Sequence, residues 1–132
     1  PGGADKFVML EETISKEPLG PVVRRGDEEW GALVKWVLFA LIEAEERGVT
    51  RENVRALQKK TDPALQWFLN ASGQHGKSLG VKPGWVAEVV QQVGNYGEIY
   101  DRSFGPRSAL KIDRGMNRLW NRGGLIFSPP FQ

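Results

Sequence analysis

SKEPLGPVVRRGDEEW, residues 15–30, changes character twice within sixteen positions. Pro18 and Pro21 fix φ at their own positions and push Glu17 and Gly20 away from helix, so residues 15–21 are expected to be extended. Leu19, Val22 and Val23 then give a short apolar strand that ends at Arg25-Gly26. Asp27 stands where a helix N-cap belongs, and Glu28 and Glu29 suit the positive end of a helix dipole. Stiff and extended at one end, helix-nucleating at the other, the stretch has the order of parts of a connector between two compact bodies.

Upstream, Phe7–Leu10 is a short apolar run flanked by charge and reads as a buried strand. Downstream, the helix opened by Asp27 is expected to run over 28–47, with Trp30, Leu33, Val34, Trp36, Val37, Leu38, Phe39, Leu41 and Ile42 covering nearly every face. Such a helix packs on more than one side. Its last turn is acidic and reads as solvated, and Gly48 suits the C′ position. Thr50 is expected to cap a helix to about Lys60, and Asp62-Pro63 to open another to about Asn70. Residues 71–82 read as a loop. Further helices are expected from Pro83 to Val93, over 95–104, and over 109–122, the last burying Leu110, Ile112, Met116, Leu119 and Trp120. LIFSPPFQ reads as an extended arm. Two strands ahead of five or six helices do not make a self-sufficient sheet.

The 132 residues are enough for one domain, with 40% hydrophobic and 26% charged residues, a globular composition. A net charge of +2 does not by itself argue for nucleic acid. With no cysteine, thiol catalysis, disulfides and cysteine-based zinc sites are excluded. The longest apolar run, residues 30–42, is too short for a bilayer and contains Lys35. PGGADKF lacks the features of a signal peptide and reads like a loop at which a longer chain has been cut.

Few motifs carry chemistry. ASGQHGKS, residues 71–78, is a relaxed phosphate-loop match through Gly76, Lys77 and Ser78, but helical PALQWFLN precedes it and a Gly- and Pro-bearing stretch follows. The required strand-loop-helix setting fails on both sides, which leaves a surface loop. His75 has no acidic neighbours to build a metal site or triad. Ser108 and Lys111 have a Ser-x-x-Lys spacing without its companion motifs, and Asn70-Ala-Ser72 is a formal glycosylation sequon. No catalytic residue, metal site or cofactor is expected.

A basic stripe is the stronger feature. Lys111, Arg114, Arg118 and Arg122 would share one face of a helix over 109–122, and residues 101–132 carry six bases against two acids. Such a face can meet phosphate backbones or an acidic partner; equally, it can be a solvated face opposite the apolar residues of the same helix.

Longer motifs point elsewhere. ETISKEPLGPVVRRGDEEW, EAEERGVT, KPGWVAEVVQQVGNYGEIYDRSFGPRSALKI, DRGMNRLWNRGGL and SPPF, in that order between Asp5 and Phe131, closely resemble the C-terminal part of general L-amino-acid-binding proteins, the periplasmic solute-binding subunits of ABC transporters. The resemblance implies an α/β two-lobed periplasmic binding protein fold of type II, with this chain mostly helical behind two N-terminal strands. Residues 1–14 would be the end of lobe two, 15–21 an interlobe hinge strand (Ser15, Lys16, Glu17, Pro18, Leu19, Gly20 and Pro21), and 22–132 the C-terminal part of lobe one with its arm. It also implies a periplasmic location, an L-amino acid held by upstream residues absent here, and two protein partners, the upstream remainder and the ABC permease. The permease could meet the surface of Lys111, Arg114, Arg118 and Arg122. No ligand-binding residue transfers. The alternatives are an α-rich module whose basic helix binds nucleic acid or an acidic partner, and a half-protein that forms a homodimer through its unpaired strands.

Overall fold

The computed structural model describes residues 8, 10–12, 14–15, 17–70 and 74–131, with only the backbone described at 70, 74 and 75. Six α-helices follow one another: α1 (Glu28–Glu46), α2 (Val54–Leu57), α3 (Pro63–Asn70), α4 (Gln74–Ser78), α5 (Trp85–Val93) and α6 (Tyr96–Ser103). Two 3-10 turns, Gly115–Asn117 and Trp120–Arg122, lie beyond them. No described helix is long and apolar enough to cross a membrane.

Local chemistry accounts for the helix ends. The Asp27 carboxylate accepts the Trp30 amide at 3.2 Å and opens α1. Gly48, at φ +66°, closes it, its amide reaching the Glu45 carbonyl while the Val49 amide reaches Ala44 at 2.7 Å. That is a Schellman ending, and the left-handed residue it requires is one for which glycine has no steric penalty. Thr50 and Asn53 exchange reciprocal side chain-backbone bonds ahead of α2. Asp62 accepts the Ala64 and Leu65 amides and starts α3.

α5 is the central element, packed against α1, α2 and α3, while α1 also meets α6. Ala40, Leu41 and Ala44 of α1, Phe68 and Leu69 of α3, and Trp85, Val86, Ala87 and Val90 of α5 form one buried cluster with Val49 and Val54. The C-terminal arm returns to this cluster through Phe131, whose ring meets Trp36 at 5.1 Å and Phe68 at 5.4 Å, both edge-on. Asn95 ties α6 to the rest. It is 5% exposed, caps α6 by accepting the Glu98 amide at 2.9 Å, and donates to the Val49 carbonyl at 2.8 Å. Glu98 completes the box on the Asn95 amide and accepts the Arg51 amide as well.

Four expectations need correction. No strand forms at the N-terminal end of the described residues: Val8, Leu10, Leu19 and Val22 are exposed, the last two by 94% and 95%. Without a neighbouring strand to take their amides and carbonyls, apolar runs of this kind have no ladder to join. Phe7, Met9 and Lys16 lie outside the described residues. Within 71–82, expected to be a loop, residues 74–78 form α4.

The largest correction concerns residues 109–122, which are not a helix. Of the five side chains expected to be buried there, only Leu119 is; Leu110, Ile112, Met116 and Trp120 are exposed. The segment instead folds into turns: the Ser108 hydroxyl accepts the Leu110 and Lys111 amides, and the Asp113 carboxylate accepts the Gly115 amide at 2.8 Å. Leu119 then pairs with Ile126 in an isolated parallel bridge.

A buried ion pair explains why these turns win. The acidic end of α1 is not solvated, for Glu43 and Glu45 are both buried. Arg114 grips Glu45 with its two terminal guanidinium nitrogens, the side chains being 17% and 6% exposed. The same guanidinium donates to the Asn117 carbonyl and lies over the rings of Tyr96 and Tyr100, at 5.5 and 5.6 Å. Gly97 makes the approach possible: a Cβ there would sit 2.8 Å from the Glu45 carboxyl carbon and 3.1 Å from Arg114 Nη1.

Arg114→Met leaves Glu45 buried without its cation and is expected to cost about 3–5 kcal/mol in urea unfolding. Pairing it with Glu45→Leu should recover much of that loss; additivity of the two within about 0.5 kcal/mol would mean that the side chains are not coupled. Asn95→Ala removes a cap and leaves the Val49 carbonyl unpaired, and should lower stability by about 2–3 kcal/mol with an unchanged denaturant slope. A loss under about 0.5 kcal/mol would contradict its role in joining α6 to the loop after α1.

Candidate functional site

Three regions bear on function: the connector ahead of α1, the basic C-terminal segment, and a cleft at the C-terminal end of α1. The described residues of the connector, 15 and 17–23, are exposed except Val23, and have no helix or strand assignment. Val23 is the point of contact with the body, a methyl group lying 3.5 Å from where a Cβ on Gly31 would stand. The Asp27 amide then bonds to the Arg24 carbonyl at 3.3 Å and turns the chain into α1. Pro18 and Pro21 therefore lie in exposed backbone outside any helix or strand, where a fixed φ limits bending more than any side-chain contact does.

The four basic residues expected to line one helix face have different fates. Arg114 points inward to Glu45. Arg118 forks onto Asp113, both bonds at 2.8 Å, and Asp113 is held below the usual carboxylate range by the Gly115 amide first and by Arg118 second. Lys111 is exposed at φ +51°, and Arg122 is exposed in the second 3-10 turn. No common basic face results, because two of the four cations are used within the segment or against α1 and the backbone does not have a helical period.

The remaining motifs are structural. Ser108 donates to the Gly105 carbonyl at 2.9 Å and caps the following turn, so its hydroxyl is occupied. Gly76 and Lys77 lie inside α4, with the Gly76 carbonyl accepting the Leu79 and Val81 amides; this is not an open phosphate cradle. The His75 and Asn70 side chains, with Ala71 and Ser72, lie outside the described residues. Among those described, no group of three or more His, Asp or Glu side chains is placed to hold a metal ion.

Sequence reasoning missed the cleft, which measures about 580 Å³ and is formed where the C-terminal arm crosses the end of α1. Glu43, Glu46 and Arg47 line it from α1; Trp120, Phe127 and Phe131 line it from the C-terminal segment. Arg47 bonds to Glu43 at 2.7 Å and lies over the Phe68 ring at 5.4 Å. Glu46 accepts the Ser128 amide at 3.1 Å and a bond from Trp120. Burial pushes its carboxyl above the usual range, against those two donors and with help from Glu43. The one available signal was the acidic run Glu43, Glu45 and Glu46 facing a distant aromatic arm, and periodicity cannot detect a contact across more than eighty residues.

No family model matches the chain. YhdW of Escherichia coli (strain K12), provisionally named an amino-acid ABC transporter-binding protein, is 48% identical over 128 residues, covering 95% of this chain and 37% of YhdW. The general L-amino acid-binding periplasmic protein AapJ of Rhizobium johnstonii is 47% identical over 128 residues, 96% of this chain and 38% of AapJ. Among solved structures, an ABC transporter/periplasmic binding protein from Brucella ovis with glutathione bound superposes with a TM-score of 0.89 at 44% identity, covering 96% of this chain and 40% of that one. The chain thus spans well under half the length of the proteins it matches. Over nearly all of its own length it is similar to amino-acid-binding proteins of ABC transporters, and it has the fold of the matching part of a periplasmic binding protein.

Proposed function

We propose that the chain is the C-terminal portion of an amino-acid-binding subunit of a periplasmic ABC importer. It completes one lobe of a two-lobed type II protein, supplies the hinge strand Ser15–Pro21 and carries no catalytic site. The observation that carries this reading is the identity of 47–48% sustained over 95–96% of the chain, joined to the fold match. The geometry supports it in two places. An exposed, proline-stiffened connector entering α1 is what an interlobe crossover requires. The first half of α1, with Trp30 more than half exposed, and the bare Leu19 and Val22 present apolar surface that the upstream remainder of a longer protein would cover.

In this reading the amino acid is held by residues upstream, and the present chain contributes the rigid body that swings. Ligand that touches both lobes only when they are closed shifts the open-closed balance. The permease is the expected partner of the closed form, and the turn-forming segment 107–126 is a candidate for part of that surface. The nucleic-acid reading loses its basis, since it required a basic helix that the segment does not form.

The hinge assignment is tested in the protein that contains the upstream lobe. Replacing Pro18 and Pro21 together by alanine frees φ at both positions, and should change the rate of closure around an L-amino acid, or its apparent affinity, by several-fold in stopped-flow and calorimetric titrations. Kinetics and affinity identical to those of the parent would remove residues 15–21 as the hinge.

A further inference from the structure

We infer that the cleft between the end of α1 and the C-terminal arm is a binding site for a small organic cation of the guanidinium or alkylammonium class. It is separate from any amino-acid site between lobes. Its volume, about 580 Å³, lies within the range of small-molecule sites.

Charge and wall chemistry select the ligand. Of the two carboxylates in the cleft, Glu43 already holds Arg47 at 2.7 Å, so that pair is neutral. Glu46 accepts from two neutral donors, the Ser128 amide at 3.1 Å and Trp120, and lies against the Glu43 carboxylate, which opposes its ionisation. Among the described residues no cation lies within ion-pair distance of it. The neighbouring arginine that could have reached α1, Arg114, is committed to Glu45. The cleft therefore has one unit of uncompensated negative charge. Beyond the Glu43–Arg47 pair and Ser128, its walls are apolar: Trp120, Phe127, Pro130 and Phe131, the first two exposed. A carboxylate among aromatic rings suits a cation with apolar substituents, which gains from ring faces and from partial desolvation as well as from the charge. The raised Glu46 carboxyl agrees, since a partly buried carboxylate without a cation is destabilised in its charged form. An anion would meet Glu46 directly, and a neutral ligand would gain at most a hydrogen bond from it, without the attraction of opposite charge.

The test is a titration of the full chain with butylguanidinium, followed by calorimetry and by the Trp120 indole N–H resonance, with neutral butylurea as the isosteric control. Saturable binding that shifts Trp120 is expected, with butylurea failing to saturate. Glu46→Gln keeps an acceptor for Ser128 and should weaken binding by roughly tenfold, about 1.4 kcal/mol. Phe127→Ala alters an exposed side chain, leaves the Glu46 bonds intact and should also weaken binding several-fold. Equal binding of the guanidinium and the urea, no saturation, or unchanged affinity in both variants would overturn the assignment.

Discussion

Glu45 is a carboxylate buried at the end of a long apolar helix, and its counter-charge comes from Arg114, 69 residues further on. A buried charge of this kind is tolerable only when its partner is fixed in place and its remaining polar groups are satisfied. The chain meets that demand from several sides. The two terminal guanidinium nitrogens meet the carboxylate, Asn117 takes donors left over, two tyrosine rings lie under the guanidinium, and Gly97 leaves room on α6. The path of residues 107–126 follows from this constraint. The turns at Ser108 and Asp113 set the backbone path that delivers Arg114 to α1.

The same logic of long-range polar closure runs through the rest of the body. Asn95 links α6 to the Val49 carbonyl just beyond α1, and Glu98 takes the Arg51 amide beside it. Ser128 bonds to Glu46, and Phe131 fills the gap between Trp36 and Phe68. Most of these contacts gather near the C-terminal end of α1, while its first two turns and the connector ahead of it remain lightly covered. The molecule is thus firmly built at one end and open at the other. In the proposed role, a body that swings on a hinge against a companion lobe, that asymmetry would be useful: the packed end would move as a unit and the open end would meet the neighbour.

How much of this could be read in advance depended on the range of the interaction. Asp27, Gly48 and Asp62-Pro63 act within a turn of their own position, and the helix boundaries they set agree with the structure to within one or two residues. The long motifs from ETISKEPLG to SPPF carried the family likeness, because many ordered residues constrain it together. The segment 109–122 misled. Lys111, Arg114, Arg118 and Arg122 have helical spacing, and Leu119 and Trp120 encouraged the same reading, yet the contact that decides the backbone lies on α1. Asp113, two residues before Gly115, was the legible warning of an Asx turn, and Gly115 adopts the positive φ that such a turn exploits. Glu45 reads as solvated for the same reason: local context shows three acids on a helix end and conceals the arginine that meets one of them. The hinge lies between these cases, since proline stiffness is local and legible while the rotation it would serve is not.

Native mass spectrometry in the presence of a mixture of L-amino acids tests the central claim most directly, comparing the 14.7 kDa chain alone with a preparation that includes the upstream lobe. Retention of an amino acid only by the species that contains both parts is the result expected of a scaffold and hinge. An amino acid carried by the bare 14.7 kDa chain would contradict the account, because the binding determinants would then lie within these residues.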